Sequence, residues 1–375
     1  VSAATVSLTR FVINPYREEG ARPQPSREPI RAFHRSLPGY LPTPLVRRPD
    51  LARQLGLGEL FVKYEGPRFG LGAFKGLGAS WALRRLVDER AGAWSTVSTA
   101  SEGNHGRAVA WSARLLGIPC VIFLPASVAP ERVANIRQEG ARVELVEGSY
   151  EDAVRRCDRE SARQGWQVVS DVGYEGYMEV PLLVVEGYST LFTEVDEQMA
   201  SAGFPRPDVV LIPGGVGALL HAGVDHYRQD GAAIRMVTVE PAEGDCLTAS
   251  IGSPGGAPAR SRGSGVTSMA CLNCAEVSLP SWPAIRRGVD LFLSLEDRFA
   301  DEAVRRLHRA GPGMDPIDAG HSGAATTGGL IALAEEPLLQ PAREFLGLRP
   351  GTIAVALCTE GPIDRTRFHR VLATA

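Results

Sequence analysis

The feature that most constrains this chain is a regular alternation of short apolar runs with longer amphipathic stretches. "LGELFVKYEG", "PCVIFLP", "ARVELVEG", "WQVVSD", "DVVLIPGG", "AIRMVTVEP" and "GTIAVALCTEG" are short and rich in Val and Ile. Between them, "GNHGRAVAWSARLLG", "APERVANIRQEG" and "YEDAVRRCDRESARQG" carry apolar positions at helical spacing. A strand that is apolar on both faces must be covered on both faces, and a helix-length connection lets neighbouring strands run parallel. The pattern predicts an α/β fold of mainly parallel sheets flanked by helices.

The 375 residues, 44% of them hydrophobic, support cores for two lobes. The expected division is an extended arm over 1–40, a large domain from 41–84 and 181–375, and a small domain over 85–180. The arm assignment rests on "ARPQPSREP" and "LPGYLPTPL", which are poor in helix signals. A net charge of −3, with no long run of one sign, argues against nucleic acid as the main partner. Apolar stretches such as "VVLIPGGVGALL" are broken by Pro and Gly and are too short for a bilayer crossing. The first residues lack the basic start and apolar block of a signal peptide. Six scattered cysteines are too few for a disulfide scaffold, so a cytoplasmic location is expected. Cys271 and Cys274 form a C-x-x-C with no second pair or nearby histidine. They are therefore read as small buried residues, and no metal is expected.

Three stretches concentrate chemistry. "RFGLGAFKGLGASWA" (68–82) sets Lys75 behind Phe74 among glycines. It reads either as a loop before a surface helix or as a desolvated, reactive lysine held against something flat. "IPGGVGALL" (212–220) is a strand, then Gly214, Gly215, Val216 and Gly217, then a helix start. That arrangement suits a phosphate. It matches neither a Walker loop nor G-x-G-x-x-G, and the alternative is a close helix–sheet crossing. In "STASEGNHGRAVAW" (98–111), Ser101 lies at a strand end with Glu102, Asn104 and His105 following. Hydroxyls and amides there suit a carboxylate, and Asn104 can reach a ring oxygen. Glu102 is either a complement to the helix dipole or an acid–base group. His105 is either a packing residue or a catalytic one.

In that order the three stretches resemble the tryptophan-synthase-β type, fold type II, of pyridoxal-phosphate-dependent enzymes. The likeness is nearest to the diaminopropionate ammonia-lyase family. It runs through "FHRSLPGYLPTPL", "RFGLGAFK", "EGNHGRAVAW", "DVGYEGYMEVP", "VEPAEGDCL", "TSMACLNCAE" and "LCTEG". The resemblance implies two lobes, each with a mainly parallel sheet, and pyridoxal 5'-phosphate as cofactor. It implies that Lys75 carries the cofactor covalently, that Phe74 lies against the ring and that Asn104 meets the ring hydroxyl. The loop Gly214, Gly215, Val216 and Gly217 would cradle the phosphate. Cys358 or Thr359 would approach the ring nitrogen. Glu102 and Asp171 would serve with Lys75 as acid–base groups, and Ser101, Tyr64 and His321 would contact substrate.

The implied reaction is α,β-elimination of ammonia from 2,3-diaminopropionate or a related small amino acid, giving pyruvate and ammonia. The implied assembly is a homodimer. The alternatives are a β-replacement synthase, a serine- or threonine-like dehydratase, and a non-catalytic binding module. The family pattern has aspartate where this chain has Glu102 and Tyr64, asparagine at Gly72, glycines at Cys271 and Ala275, and glutamate at His321.

Overall fold

The computed structural model describes residues 8–90, 92–101, 103–128, 130–311 and 313–374. The chain divides into two compact units. One comprises the chain up to Pro25, Pro42–Pro67 and the chain from Leu191 onward. The other comprises Ser26–Leu41 and Arg68–Thr190. Residues 26–40 and 68–84 thus group with the smaller unit.

Among the described residues, eleven strands form two sheets. They are β1 (Arg10–Ile13), β2 (Leu45–Arg47), β3 (Glu59–Tyr64), β4 (Val97–Ala100), β5 (Cys120–Pro125) and β6 (Arg142–Val146). The rest are β7 (Gln167–Val168), β8 (Val209–Pro213), β9 (Arg235–Pro241), β10 (Leu291–Leu295) and β11 (Ile353–Cys358).

The larger unit holds the sheet β1-β10-β9-β8-β11-β3-β2. Its inner pairs are parallel, and its outer strands β1 and β2 are antiparallel. Every residue of β8 and β10 is buried, as strands apolar on both faces require. The helix His321–Glu335 is buried on nearly all sides. Its Gly, Ala and Thr residues let it lie close to the sheet, where a Cβ on Gly329 would stand 2.9 Å from Val239. Leu60, Val62, Val209, Leu211, Val237, Val239, Leu291 and Leu293 anchor this core.

The smaller unit holds the all-parallel sheet β6-β5-β4-β7. Its core gathers Val97, Val109, Trp111, Ile122, Leu124 and Ile136. The helix Lys75–Arg90 crosses Glu179–Gly187 closely: a Cβ on Gly78 would come within 2.6 Å of Tyr188, and one on Gly187 within 2.5 Å of the Leu77 carbonyl oxygen. Only glycine permits that approach.

Two expectations are corrected. The segment read as an extended arm contains regular structure. β1 adds an antiparallel edge to the larger sheet, with Phe11 opposite Leu293. Glu28–Ser36 is a helix with Pro29 in its first turn, where a missing amide hydrogen costs nothing. Buried His34 fixes it through the Leu77 carbonyl (2.9 Å) and the Thr190 hydroxyl (2.7 Å). The buried face of this helix is short, Ile30 and His34 one turn apart, and one of its two residues is polar. The C-x-x-C cysteines are also not simply buried: Cys271 is exposed and Cys274 half-buried. Cys271 lies within the short turn Ala270–Leu272 and Cys274 just after it, and that turn follows a stretch without regular structure over 257–269.

Candidate active site

In the smaller unit the chemistry starts at the first residue of a helix. The helix begins at Lys75, five residues before the periodicity becomes evident at Ser80. The preceding loop turns through Gly72 at φ +82°, a left-handed conformation. Glycine and asparagine are the residues that adopt it most readily, which accounts for the glycine in place of the family's asparagine.

Lys75 Nζ donates to Asp171 Oδ2 at 2.5 Å. The same ammonium lies 5.1 Å from the Phe74 ring centre and 5.9 Å from that of Tyr188. Those two rings pack 4.7 Å apart. The lysine therefore lies beside two aromatic rings. Asp171 follows β7, and Tyr177 fixes the approach: its hydroxyl donates to the Val168 carbonyl and accepts from the Ser170 amide, both at 3.0 Å.

His105 lies on the far side of the carboxylate, with Nδ1 3.7 Å from Asp171 Oδ2. Its Nε2 stands 3.0 Å from the Val169 carbonyl oxygen. A carbonyl only accepts, so Nε2 carries the proton and Nδ1 of the neutral ring presents a lone pair. Burial lowers the His105 pKa, and Asp171 only partly offsets this. The ring is therefore neutral at neutral pH. Burial pushes the Asp171 carboxyl up, but the charge and hydrogen bond of Lys75 outweigh it and hold the group below the usual carboxylate range. With His105 neutral, Lys75 is the cation that faces it. Tyr188, buried beside Lys75, has its phenol pushed up by burial and stays protonated.

Sequence reasoning left His105 between packing and chemistry and did not single out Tyr188. The structure places both around Lys75 and Asp171. Asn104 opens the helix Asn104–Leu115. A Cβ on Gly106 would stand 2.3 Å from the Ser101 carbonyl oxygen, so the first turn of that helix packs directly on Ser101. Glu102 lies outside the described residues.

In the larger unit, the loop after β8 leads into the helix Ala218–Tyr227. Gly214 donates its amide to the Val239 carbonyl at 2.7 Å. A Cβ there would meet Glu240 Cγ and Thr238 Oγ1, each at 2.6 Å. Gly217 has φ +101°, and its Cβ would stand 2.4 Å from Ile285 Cδ1. The carbonyl of Gly215 accepts from Cys246 Sγ at 3.5 Å, and that of Val216 accepts from the Ser278 amide at 2.8 Å. In a trans peptide the N–H points opposite the C=O, so the amides of Val216 and Gly217 face the other way. Together with the first-turn amides of the helix, they form a surface of N–H groups at its positive end.

Glu240 lies beneath the loop and accepts from the amides of Leu247 and Thr248, both at 2.8 Å. Burial pushes its carboxyl up to about 8, against those hydrogen bonds. At the end of β11, Cys358 and Thr359 are buried, and burial raises the Cys358 thiol far above its ordinary value. Tyr64, opposite Cys358 on β3, donates its hydroxyl to the Asp318 carbonyl at 2.8 Å. His321 begins the helix His321–Glu335 with Nε2 3.1 Å from Asp301 Oδ1.

A protein-family model described as pyridoxal-phosphate dependent enzyme matches residues 37–345. The chain belongs to this family. Among its curated relatives, the diaminopropionate ammonia-lyase of Salmonella typhimurium is 34% identical over 88% of each chain. The enzyme of that name from Escherichia coli K12 is 35% identical over 91% of this chain and 90% of its own. The crystal structure of the Escherichia coli diaminopropionate ammonia lyase in complex with an aminoacrylate-PLP azomethine reaction intermediate superposes with a TM-score of 0.89. It is 33% identical and covers 97% of this chain and 96% of that one. The complex of the same lyase with D-serine gives a TM-score of 0.88 at 32% identity over the same shares. The architecture is that of a fold-type II enzyme, with parallel sheets flanked by helices.

The residues present fit pyridoxal phosphate. The smaller unit supplies a primary amine against two aromatic rings. The larger unit supplies a glycine loop packed too closely on Glu240, Thr238 and Ile285 to admit a Cβ at 214 or 217, with the amides of Val216 and Gly217 turned to the opposite side. It also supplies a protonated thiol beside a hydroxyl at the end of a strand, groups suited to an unprotonated ring nitrogen. Among the described residues no helix is long and apolar enough to cross a membrane.

Proposed function

We propose that the enzyme converts 2,3-diaminopropionate and water to pyruvate and two molecules of ammonia by α,β-elimination. The observation that carries this reading is the end-to-end match to diaminopropionate ammonia-lyases. The chemistry around Lys75 supports it. Pyridoxal phosphate, when bound, supplies the electron sink that makes the α-proton of the substrate acidic.

In this reading Lys75 holds the cofactor through Nζ and then, as a free amine, takes the α-proton. Asp171 orients Nζ and stabilises its protonated form. An ionised carboxylate accepts a proton rather than donating one, so Asp171 acts as an acceptor and Lys75 returns the proton to the departing β-amine. His105, neutral, donates its Nε2 hydrogen to the Val169 carbonyl and so acts as a positioning residue through the backbone that leads into Asp171, while its Nδ1 makes no hydrogen bond to the carboxylate. Phe74 and Tyr188 exclude water from the amine. Asn104 meets the ring hydroxyl and Ser101 the substrate carboxylate. The loop from Gly214 to Gly217 binds the phosphate.

Cys358 and Thr359 would lie at the ring nitrogen, where a protonated thiol and a hydroxyl would not supply the proton that a carboxylic acid would, a setting suited to elimination rather than transamination. Tyr64 and His321 remain proposed substrate contacts. Both are engaged with Asp318 or Asp301, so a rotation of either side chain would accompany that role. Glu102 is proposed as the base for the opposite face of the substrate. We also propose a homodimer in the cytoplasm, as the resemblance and the six scattered cysteines suggest.

The test is a coupled pyruvate and ammonia assay on L- and D-diaminopropionate, serine, threonine and O-acetylserine, with and without added nucleophiles. Two ammonias per pyruvate from diaminopropionate support the lyase. Turnover only with a nucleophile, and without pyruvate, replaces it with a synthase. Serine or threonine as the sole substrate replaces it with a dehydratase.

A further inference from the structure

β8, β9 and β10 run parallel, and the glycine loop follows the carboxyl end of β8. At their amino ends the structure holds a second polar site, a cavity of about 360 Å³. Five residues of β8, at about 3.3 Å each, set it roughly 17 Å from the glycine loop.

Its chemistry is an excess of arginine around one carboxylate. Asp290 is buried at 3% exposure. It accepts from Arg228 Nη2 at 2.5 Å and from the Met236 amide at 2.7 Å, and it pairs with Arg235 Nη1 and Arg17 Nε, each at 3.3 Å. Three of these contacts are hydrogen bonds, and the Arg17 contact is an ion pair only. Arg228 spends its other N–H groups on the carbonyls of Gly288 (2.9 Å) and Ile234 (2.6 Å). Arg17 does not: Nε and Nη1 are both buried without a hydrogen-bond acceptor, because the Asp290 contact lacks the necessary alignment. Buried guanidinium donors without an acceptor are costly, and like charges at this spacing repel. Glu19 is the other acid lining the cavity, and it is exposed. Gly20 and Gly231 form wall without side chains, so backbone can approach a ligand closely.

We propose that this cavity binds a small anion through a phosphate group. Guanidinium forks match phosphate oxygens in pairs, and three arginines against Asp290 and exposed Glu19 leave a net positive charge for an anion, with Arg17 and Arg235 presenting the forks that Arg228 has already spent. The volume exceeds that of the phosphate alone and accommodates a small organic group attached to it. The site lies at the amino ends of the strands, away from the glycine loop, so its ligand is distinct from the cofactor phosphate. Burial, and then Arg17 and Arg235, lower the Arg228 pKa against the pull of Asp290.

The test is calorimetric titration of the cofactor-loaded enzyme with inorganic phosphate and with glycerol 3-phosphate. Acetate and chloride at matched ionic strength serve as controls. Saturable binding of one phosphate per chain is expected, without loss of cofactor absorbance. Arg17→Gln and, separately, exposed Arg235→Gln should each weaken it about tenfold, the loss of one charge-assisted contact. Glu19→Gln should tighten it, and kcat on diaminopropionate should not change in any of the three. Tighter binding of glycerol 3-phosphate assigns an organic phosphate, and equal binding assigns free phosphate. Either result supports the site. Equal binding by wild type and both arginine variants, an equal response to acetate, or phosphate uptake that releases cofactor would overturn it. A change of oligomeric state in Arg17→Gln without phosphate binding would overturn it too, and would assign the arginines to a carboxylate of a second copy.

Discussion

Replacing Gly217 with alanine tests the glycine loop where the structure leaves least freedom. The residue caps the helix Ala218–Tyr227 with φ +101° and ψ 0°. An L-residue in the left-handed region costs about 1–2 kcal/mol. The new methyl would also stand 2.4 Å from Ile285 Cδ1, so Ile285 must leave its rotamer or the loop must shift. An off-rotamer side chain costs about 0.5–1.5 kcal/mol. Together these predict a loss of about 2–3 kcal/mol, divided between the stability of the apoenzyme and its grip on the cofactor. If the loop shifts, the part borne by binding raises the Kd for pyridoxal phosphate by up to about thirtyfold for 2 kcal/mol.

The assay is a pair of measurements: thermal unfolding of apoenzyme, and cofactor titration followed by absorbance. Ile285→Val removes the clashing methyl, so in a double-mutant cycle the two changes should couple by about 1 kcal/mol in the restoring direction. Gly351→Ala, with no atom within 4 Å of the added Cβ, is the control and should change stability by only a few tenths of a kcal/mol. Unchanged stability and unchanged cofactor affinity in Gly217→Ala, or strict additivity with Ile285→Val, would refute the reasoning.

Asp171→Asn should leave the cofactor bound but lower kcat on the order of 100-fold or more, since it removes the charge that orients Nζ. A steady-state comparison at saturating substrate checks this. His105 has a lowered pKa in the fold, so the unfolded chain binds its proton more readily as pH falls below about 6.5. Its contribution is intact above that pH and is lost below it, so His105→Asn should flatten the acid limb of the stability profile measured by denaturant titration. Glu240 behaves oppositely: with its folded pKa raised to about 8, it is destabilising as pH climbs from the ordinary carboxylate range to that value. Glu240→Gln should therefore gain stability relative to wild type on the alkaline side, and a slope unchanged by the substitution would remove the buried carboxylate from the account.

The fold class was legible because every buried strand is a short run of apolar residues and every crossover is long enough for a helix. The lysine, the asparagine turn and the glycine loop were legible because each needs rare residue types at fixed spacing. The hidden parts have a common physical cause: they depend on contacts between residues far apart in the chain. His105 meets Asp171 only because Val169 and Tyr177 bring the end of β7 to that helix. The helix over 28–36 depends on His34 reaching Leu77 and Thr190, which no local pattern announces. Cys271 and Cys274 looked like core residues by type. They sit beside the glycine loop instead, with Cys274 Sγ 3.4 Å from where a Cβ of Gly215 would be. Asp290 and its arginines come from three separate segments of sequence with no motif between them.

The central claim is that Lys75 holds pyridoxal phosphate, and one measurement tests it most directly. The cofactor-loaded enzyme is reduced with borohydride, digested, and its peptides sequenced by mass spectrometry. The account predicts a single pyridoxyl adduct on Lys75, in the peptide that contains "GLGAFKGLGASWALR". An adduct on Lys63, the only other lysine of the chain, or no adduct on protein that carries stoichiometric cofactor, would contradict it.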